Sequence, residues 1–252
     1  MSRDSTIALI SFILIFTLEY LFPFFKNPGY RIKHSLNNLG IAAINRMIIL
    51  AGITYFALWL KWFSKEFAGI LSSMNHNVFK ILIGIILFDL WMYFWHRLNH
   101  EVYFLWRFHR MHHTDPNMDS TTAVRFHPLE IIFSYCLNLI VLGLLGLDFT
   151  FLAIYNTVMV PVILFHHSNI AFSEKMDNLL NYFFVMPRMH RIHHSEIWGE
   201  TNSNYGTIFS FWDRLFKSFV TRPDIKSVTY GIGTFKKAKW QHVGGMLLLP
   251  FK

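Results

Sequence analysis

VFKILIGIILFDLWMYFWHRLNH, residues 78–100, decides the architecture of this chain. Up to Trp95 it is almost wholly apolar, and it approaches the roughly 20 residues that cross a bilayer as a helix. It then ends in His96 and His100, spaced i and i+4. On a helix these two imidazoles share one face, a turn apart. A membrane-crossing helix that presents paired imidazoles at its boundary points to a ligand site at the mouth of a helical bundle.

Four further apolar runs lie outward from this one: 7–25, 43–63, 129–147 and 149–165. The first lacks the small-residue cleavage site of a signal peptide and is expected to be a retained span. Gly143, Gly146 and Asp148 mark a tight turn between the last two, and Pro161 is expected to kink the fifth. Composition agrees: 53% of residues are hydrophobic, 18% are aromatic, and the mean hydropathy is +0.34. This excludes an ordinary soluble nucleic-acid binder despite the formal charge of +8, which suits a membrane surface instead. The single cysteine, Cys136, cannot form an internal disulfide. The fold class is therefore an all-α integral membrane protein with about four to five transmembrane helices, carrying a histidine-rich helical cap on its cytoplasmic side. The chain forms one domain.

Basic residues set the orientation. Lys26, Arg31 and Lys33 follow the first run, and Arg97, Arg107, Arg110 and Arg125 follow the third. Most of the remainder follow the fifth. Only Arg3, Lys61, Lys65 and Lys80 fall on the other side, so the positive-inside rule places the histidine motifs in the cytoplasm. Glu19 and Arg46 lie inside runs, where charge is costly unless paired or able to reach the interface. They are expected either to pair with each other or to snorkel separately.

Of the 14 histidines, His34, His76 and His242 stand alone and are expected at the surface or an interface. The other eleven cluster. HRMHH supplies His109, His112 and His113, and HRIHH supplies His190, His193 and His194. Each HxxHH trio falls within a wedge of roughly 100° on a helix. FHHSN adds His166 and His167, and RFHP adds His127. A structural zinc site takes four ligands, so this many imidazoles suit two ions, each trio dividing its members between them. Imidazole serves iron, copper, nickel and zinc alike.

HxxxH followed by two HxxHH motifs resembles the histidine boxes of the fatty acid hydroxylase superfamily, which includes sterol desaturases and alkylglycerol monooxygenase. RFHPLE, FHHSN and TNSNYGTIFSFWDRLF extend the resemblance over roughly 80–220. It implies a membrane-embedded non-haem centre of two Fe ions that activates O2 as co-substrate to hydroxylate or desaturate a lipid. The implied ligands are His96, His100, His109, His112, His113, His190, His193 and His194, with one or both of His166 and His167. Asn204 corresponds to a position near the metals, whereas Asp213 and Arg214 correspond to structural ones. The chain divides accordingly into N-terminal transmembrane helices (1–77), a di-iron stretch (78–220) and a cytoplasmic or interfacial tail (221–252). One departure stands out. The fatty acid 2-hydroxylase branch is expected to carry a histidine one turn before the HH pair, where this chain has Val162. His127 is the natural substitute ligand.

Asp89, Tyr93, His96 and His100 form one stripe on the third span. A ligating histidine usually donates its second N–H to a carboxylate, carbonyl or water. Asp89 is expected to bond a metal-site histidine, Tyr93 or Arg97, or else only to tie helices together. Glu130 is expected either to support a histidine or to sit at a helix start favoured by the dipole. No flavin, nicotinamide or cytochrome motif is present, so electrons must come from an external donor such as a ferredoxin or cytochrome b5-like protein. The substrate is a fatty acyl, sterol or ether lipid. A sterol-type desaturase is the alternative within the class. A metal transport or storage protein is the alternative outside it, although the spans offer few polar residues for a conduction path. A bacterial inner membrane is favoured over the endoplasmic reticulum.

Overall fold

The computed structural model describes residues 3–26, 31–75 and 77–252. His76 lies outside the described residues. Among them the chain is helical, with isolated β-bridges and no strand. Its long elements are α1 (Arg3–Leu21), α2 (Arg31–Glu66), α3 (Val78–Glu101), α4 (Tyr103–His113), α5 (Pro128–Leu145) and α6 (Phe149–His167). The short ones are α7 (Glu174–Leu180), α8 (Pro187–His193), α9 (Trp198–Thr201), α10 (Phe211–Leu215) and α11 (Val243–Leu248).

Four helices, α2, α3, α5 and α6, are long and apolar enough to cross a membrane. The first run falls short of them. Its apolar helix covers Ser5–Leu21, or about 25 Å at ~1.5 Å per residue, against a hydrocarbon core of about 30 Å. α1 nonetheless runs beside α6. Its end is fastened there by bonds from Phe24 N to Asn169 O (2.8 Å) and from Ala171 N to Phe22 O (2.7 Å).

Local chemistry sets the helix boundaries. Asn77 caps α3 by accepting from Lys80 N, and Asp148 caps α6 by accepting from Phe151 N. Pro128 opens α5 at a position where a missing N–H costs nothing. α5 ends at Gly146, in the left-handed region at φ 71°, as helix C-termini favour. The loop after α2 packs on this turn, with Ile70 N and Leu71 N donating to Leu144 O and Leu145 O. A Cβ on Gly69 would lie 2.1 Å from Gly146 N, so only glycine allows that approach. Leu139, Leu142, Leu145, Phe151 and Tyr155 close the base of the α5–α6 hairpin against Phe88 of α3. α6 runs unbroken through Pro161 to His167.

α2 is longer than its apolar pattern implies. The apolar run begins at 43, but the helix begins at Arg31. Its first three turns stand beside the histidine end and carry His34 and Asn38 into the interior. Glu19 does not pair with Arg46, which is exposed. It accepts instead from Arg31 (3.2 Å), from Ser120 N and Oγ (both 2.8 Å) and from Asn169 N (2.6 Å).

Candidate metal centre

Four helices meet at one end of the bundle, and each contributes imidazoles. α3 brings His96 and His100, α4 brings His109, His112 and His113, α6 brings His167, and α8 with its C-cap brings His190, His193 and His194. Their ring nitrogens fall into two groups: His96, His100, His109, His113 and His193 in one, and His112, His167, His190 and His194 in the other. Within each group the candidate ligand atoms all lie within 4.8 Å of one another.

Both HxxHH trios are divided between the groups, in opposite senses. α4 sends positions i and i+4 (His109 and His113) to the first group and i+3 (His112) to the second. α8 sends i and i+4 (His190 and His194) to the second group and i+3 (His193) to the first. Helical geometry produces this, because steps of three and four residues fall on either side of the starting residue, about 100° apart. The two groups therefore touch along the rings: His113 and His194 lie with centroids 4.4 Å apart, and His112 and His113 5.3 Å apart.

The environment suits cations and little else. Except for His96, every member of the two groups is buried. Nitrogens of His100, His109, His112, His113, His190, His193 and His194 have no hydrogen-bond partner. Each such orphan costs roughly 1–3 kcal/mol, which an ion that accepts the lone pair removes. The Nε2 atoms of His112 and His190 converge on that of His167 at 3.1 and 2.9 Å. Burial first, and neighbouring imidazoles second, hold His112, His113 and His194 well below the ordinary histidine pKa. The rings are thus neutral, as metal ligands must be. Among the described residues no carboxylate joins either group.

The outward nitrogens are fixed by the protein, as ligand histidines require. Nδ1 of His109 donates to Glu130 Oε1 at 2.7 Å. Nδ1 of His96 donates to Tyr205 O (2.9 Å), that of His193 to Ser203 O (2.6 Å), and that of His167 to Ile163 O (2.7 Å). Each bond leaves Nε2 to face the interior.

Asn204 explains two of these acceptors. It lies between Ser203 and Tyr205 in the left-handed region, at φ 56°, where asparagine is among the few tolerated residues. Its side chain donates to Met189 O and Val220 O and accepts from Val220 N. It does not reach either histidine group; it holds the turn that aims both carbonyls. Asp213 secures the same turn by accepting from Tyr205 N, Gly206 N and Ser218 Oγ. Arg214 stacks on Phe219 at 3.8 Å.

Several expected residues fall elsewhere. Asp89 touches neither the metal-site histidines nor Tyr93 or Arg97. It accepts from Tyr155 OH, Ile208 N, Phe209 N and Trp212 Nε1, and so joins α3 to α6 and to the α10 region. His127 is outside both groups. Its Nδ1 accepts from Leu129 N to cap α5, and its Nε2 bonds Leu247 O at 3.2 Å, so both nitrogens are engaged. His166 is buried beside His190, with centroids 4.1 Å apart, but joins neither group. His242 is exposed and caps α11. His34 is not at the surface. It is buried and bonds Asp115 at 2.8 Å and Asp119 at 3.2 Å.

That His34 contact belongs to a polar layer that sequence patterns do not reveal. Arg125, fully buried, donates to Met111 O, Asn38 Oδ1, Thr114 Oγ1 and Gln241 Oε1. It thereby braces the α4 end that carries His112 and His113 against α2 and the C-terminal segment. The one signal in the sequence is an arginine two residues before His127, in a stretch with no apolar periodicity.

A cavity of about 250 Å³ between α3, α5 and α6 is lined by histidines of both groups, His96 and His109 from the first and His112, His167 and His190 from the second. His112, His167 and His190 lie at one end, with Trp95, Leu139, Leu152 and Met159 among its apolar walls.

The sequence profile of the fatty acid hydroxylase family matches residues 81–218, more than half of the chain. Ornithine lipid hydroxylase from Rhizobium tropici is 34% identical over 161 residues, 64% of this chain and 47% of the relative. Alkylglycerol monooxygenase from Homo sapiens is 24% identical over 226 residues, covering 86% and 47%. Cholesterol 25-hydroxylase from Mus musculus is 26% identical over 238 residues, covering 87% and 76%. The chain spans about half the length of the first two. No solved structure matches it.

Proposed function

The chain belongs to the fatty acid hydroxylase family, and from that premise we propose that it is a membrane-bound oxygenase. It hydroxylates a C–H bond of a lipid at a centre of two iron ions, using O2 and electrons from an external donor. The observation that carries this reading is the pair of adjoining histidine groups opening on an apolar cavity. Five and four imidazoles satisfy two ions. The cavity lies between α3, α5 and α6, three of the helices long and apolar enough to span a membrane, and a lipid chain is its expected occupant.

When bound, the two ions supply the oxidising power that removes hydrogen from an unactivated carbon. The protein's contribution is placement and exclusion. Glu130 and the carbonyls of Ser203, Tyr205 and Ile163 orient four rings so that Nε2 faces the ions. The cavity walls hold the lipid chain against the histidine end and keep water from it. The relatives named above act, by their names, on ornithine lipid, alkylglycerol and cholesterol; the substrate here belongs to that broad class.

Electrons come from an external donor, a ferredoxin or cytochrome b5-like protein, and the net charge of +8 favours an acidic one. The excess of positive charge in the segments that follow the first, third and fifth runs supports a cytoplasmic side for this end, and a bacterial inner membrane is the host we favour.

Metal analysis tests the reading. Purified anaerobically with iron supplied, the chain is expected to hold two irons, and His112→Ala to lose iron and lipid oxidation together. One zinc per chain, unaffected by His112→Ala, would overturn it.

A further inference from the structure

The cavity is not uniformly apolar. On α5 its wall includes Glu130, Ser134, Asn138 and Leu139; on α6 it includes Leu152, Asn156, Met159 and His167. Glu130, Ser134 and Asn138 recur every four residues, and Leu152, Asn156, Met159, Ile163 and His167 at steps of three or four, so each set forms one face of its helix. Asn138 stands eight residues before Gly146, and Asn156 eight residues after Asp148. By count along their helices the two amides lie equally far from the α5–α6 turn, and both line the one cavity. Asn138 lies eight residues below Glu130 and Asn156 eleven below His167. At ~1.5 Å per residue these steps put both amides roughly 12–16 Å from the histidine end.

Neither amide is fully used by the protein. Asn138 Oδ1 accepts from Trp91 Nε1 at 2.7 Å, which leaves its NH2 facing the cavity region without a protein acceptor. Asn156 makes no side-chain hydrogen bond among the described residues. Inside apolar spans an unpaired amide is costly, and leucine would fill the same wall without that cost. Ser134, between the amides and the histidines, already accepts from Trp95 Nε1 at 2.8 Å. Glu130 Oε2 and Asn99 Oδ1 are also unpartnered, but they belong to the histidine end; Asn138 and Asn156 are the carboxamides that line the part of the cavity remote from it.

We propose that Asn138 and Asn156 form a subsite for an uncharged hydrogen-bonding group of the lipid, a hydroxyl or carbonyl oxygen. Asn138 supplies donors only, because its oxygen is taken. Asn156 supplies both a donor and an acceptor. The two together match a hydroxyl best. A carboxylate or phosphate finds no Lys or Arg among the lining residues, and an ammonium finds only Glu130, which sits near the opposite end bonded to His109. The subsite therefore measures the distance from a neutral polar group to the oxidised carbon, and it selects lipids whose two ends are polar and reactive respectively.

This assignment rests on the lipid oxygenase reading, but its test needs no turnover. The full-length protein in nanodiscs, metal-free and under argon, is exposed at equal mole fraction to hexadecan-1-ol, hexadecane or hexadecanoate. Bound probe is counted by native mass spectrometry. The alcohol is expected to exceed the alkane and the carboxylate by about three- to tenfold, the worth of one net hydrogen bond. Asn156→Leu is expected to abolish that preference while leaving hexadecane binding unchanged, and Asn156→Ser to keep part of it. Equal binding of alcohol and alkane by the native chain, preference for the carboxylate, or equal loss of all three probes in Asn156→Leu would overturn the subsite. The native-chain comparison decides the matter even where the leucine variant fails to fold. Discrimination among probes in a protein that oxidises no lipid would overturn the oxygenase reading alone, and turnover without discrimination would overturn the subsite alone.

Discussion

Glu130 Oε1 accepts a 2.7 Å hydrogen bond from Nδ1 of His109, and both residues are buried. Glu130 lies in the first turn of α5 and His109 in the middle of α4, so the bond also clamps these two helices. It is the one side-chain acceptor among the four that orient inward-facing rings; the others are backbone carbonyls.

Glu130→Ala is therefore expected to lower iron occupancy or lipid oxidation by about 10- to 100-fold, the usual cost of losing such a supporting contact. Glu130→Gln keeps an acceptor and is expected to recover a substantial part. Iron content per chain, measured beside activity, checks both. Full iron and full activity in the alanine variant would show that the bond orients nothing.

His127 is the contrasting case. Its two nitrogens cap α5 and bond Leu247 O, so His127→Ala is expected to retain iron where His112→Ala loses it. The cost is to stability, roughly 0.5–2 kcal/mol for a lost cap, seen as a lower unfolding midpoint. Iron loss equal to that of His112→Ala would reinstate His127 as a ligand.

Arg125 tests the polar layer. Arg125→Met removes four buried hydrogen bonds, to Met111 O, Asn38 Oδ1, Thr114 Oγ1 and Gln241 Oε1, and the guanidinium 3.8 Å from buried Asp115, and is expected to destabilise by about 3–5 kcal/mol. Arg125→Lys is expected to rescue little, because an ammonium cannot reach four acceptors spread around a planar fork. Denaturation in detergent with and without iron measures the loss. His34→Ala removes another partner of Asp115 and is expected to destabilise in the same direction, so it cannot serve as a neutral control.

Asn204→Ala combines a left-handed backbone, about 1 kcal/mol or more for a residue with a Cβ and no local bond, with loss of three buried hydrogen bonds. It is expected to cost ~2–4 kcal/mol and to lower iron occupancy, since the carbonyls of Ser203 and Tyr205 move with the turn. Asn204→Gly relieves only the backbone part. Unchanged iron binding in Asn204→Ala would separate the turn from the centre.

Topology is checked by fusion. A reporter after Lys252 is expected to read cytoplasmic, and one inserted near Asn75, at the loop that packs on Gly146, to read on the other side. The reverse pattern would invert the orientation inferred from basic residues.

The spans and the grouping of the histidines are legible in the amino-acid sequence alone. Apolar runs of bilayer length and imidazoles at i, i+3 and i+4 are local patterns, and a helix converts spacing to direction at a constant angle per residue. That is why HRMHH and HRIHH already imply two sites sharing each trio. The partners of those imidazoles are not legible in the same way. Ser203 and Tyr205 contribute backbone carbonyls, which carry no side-chain signature, and Tyr205 meets His96 across 109 residues of chain. Asp89 reads as a support for the site because it lies on the His96 stripe. Only the path of the 207–212 segment decides that Tyr155, Trp212 and two backbone amides claim it first. The first three turns of α2 are hidden for a related reason: they are polar, and nothing local distinguishes a solvent-facing His34 from one buried on Asp115. Sequence determined which faces carry chemistry, because helical periodicity is local. Tertiary structure alone decided which buried hydrogen bonds each of those groups completes, because that depends on which distant segment arrives opposite it.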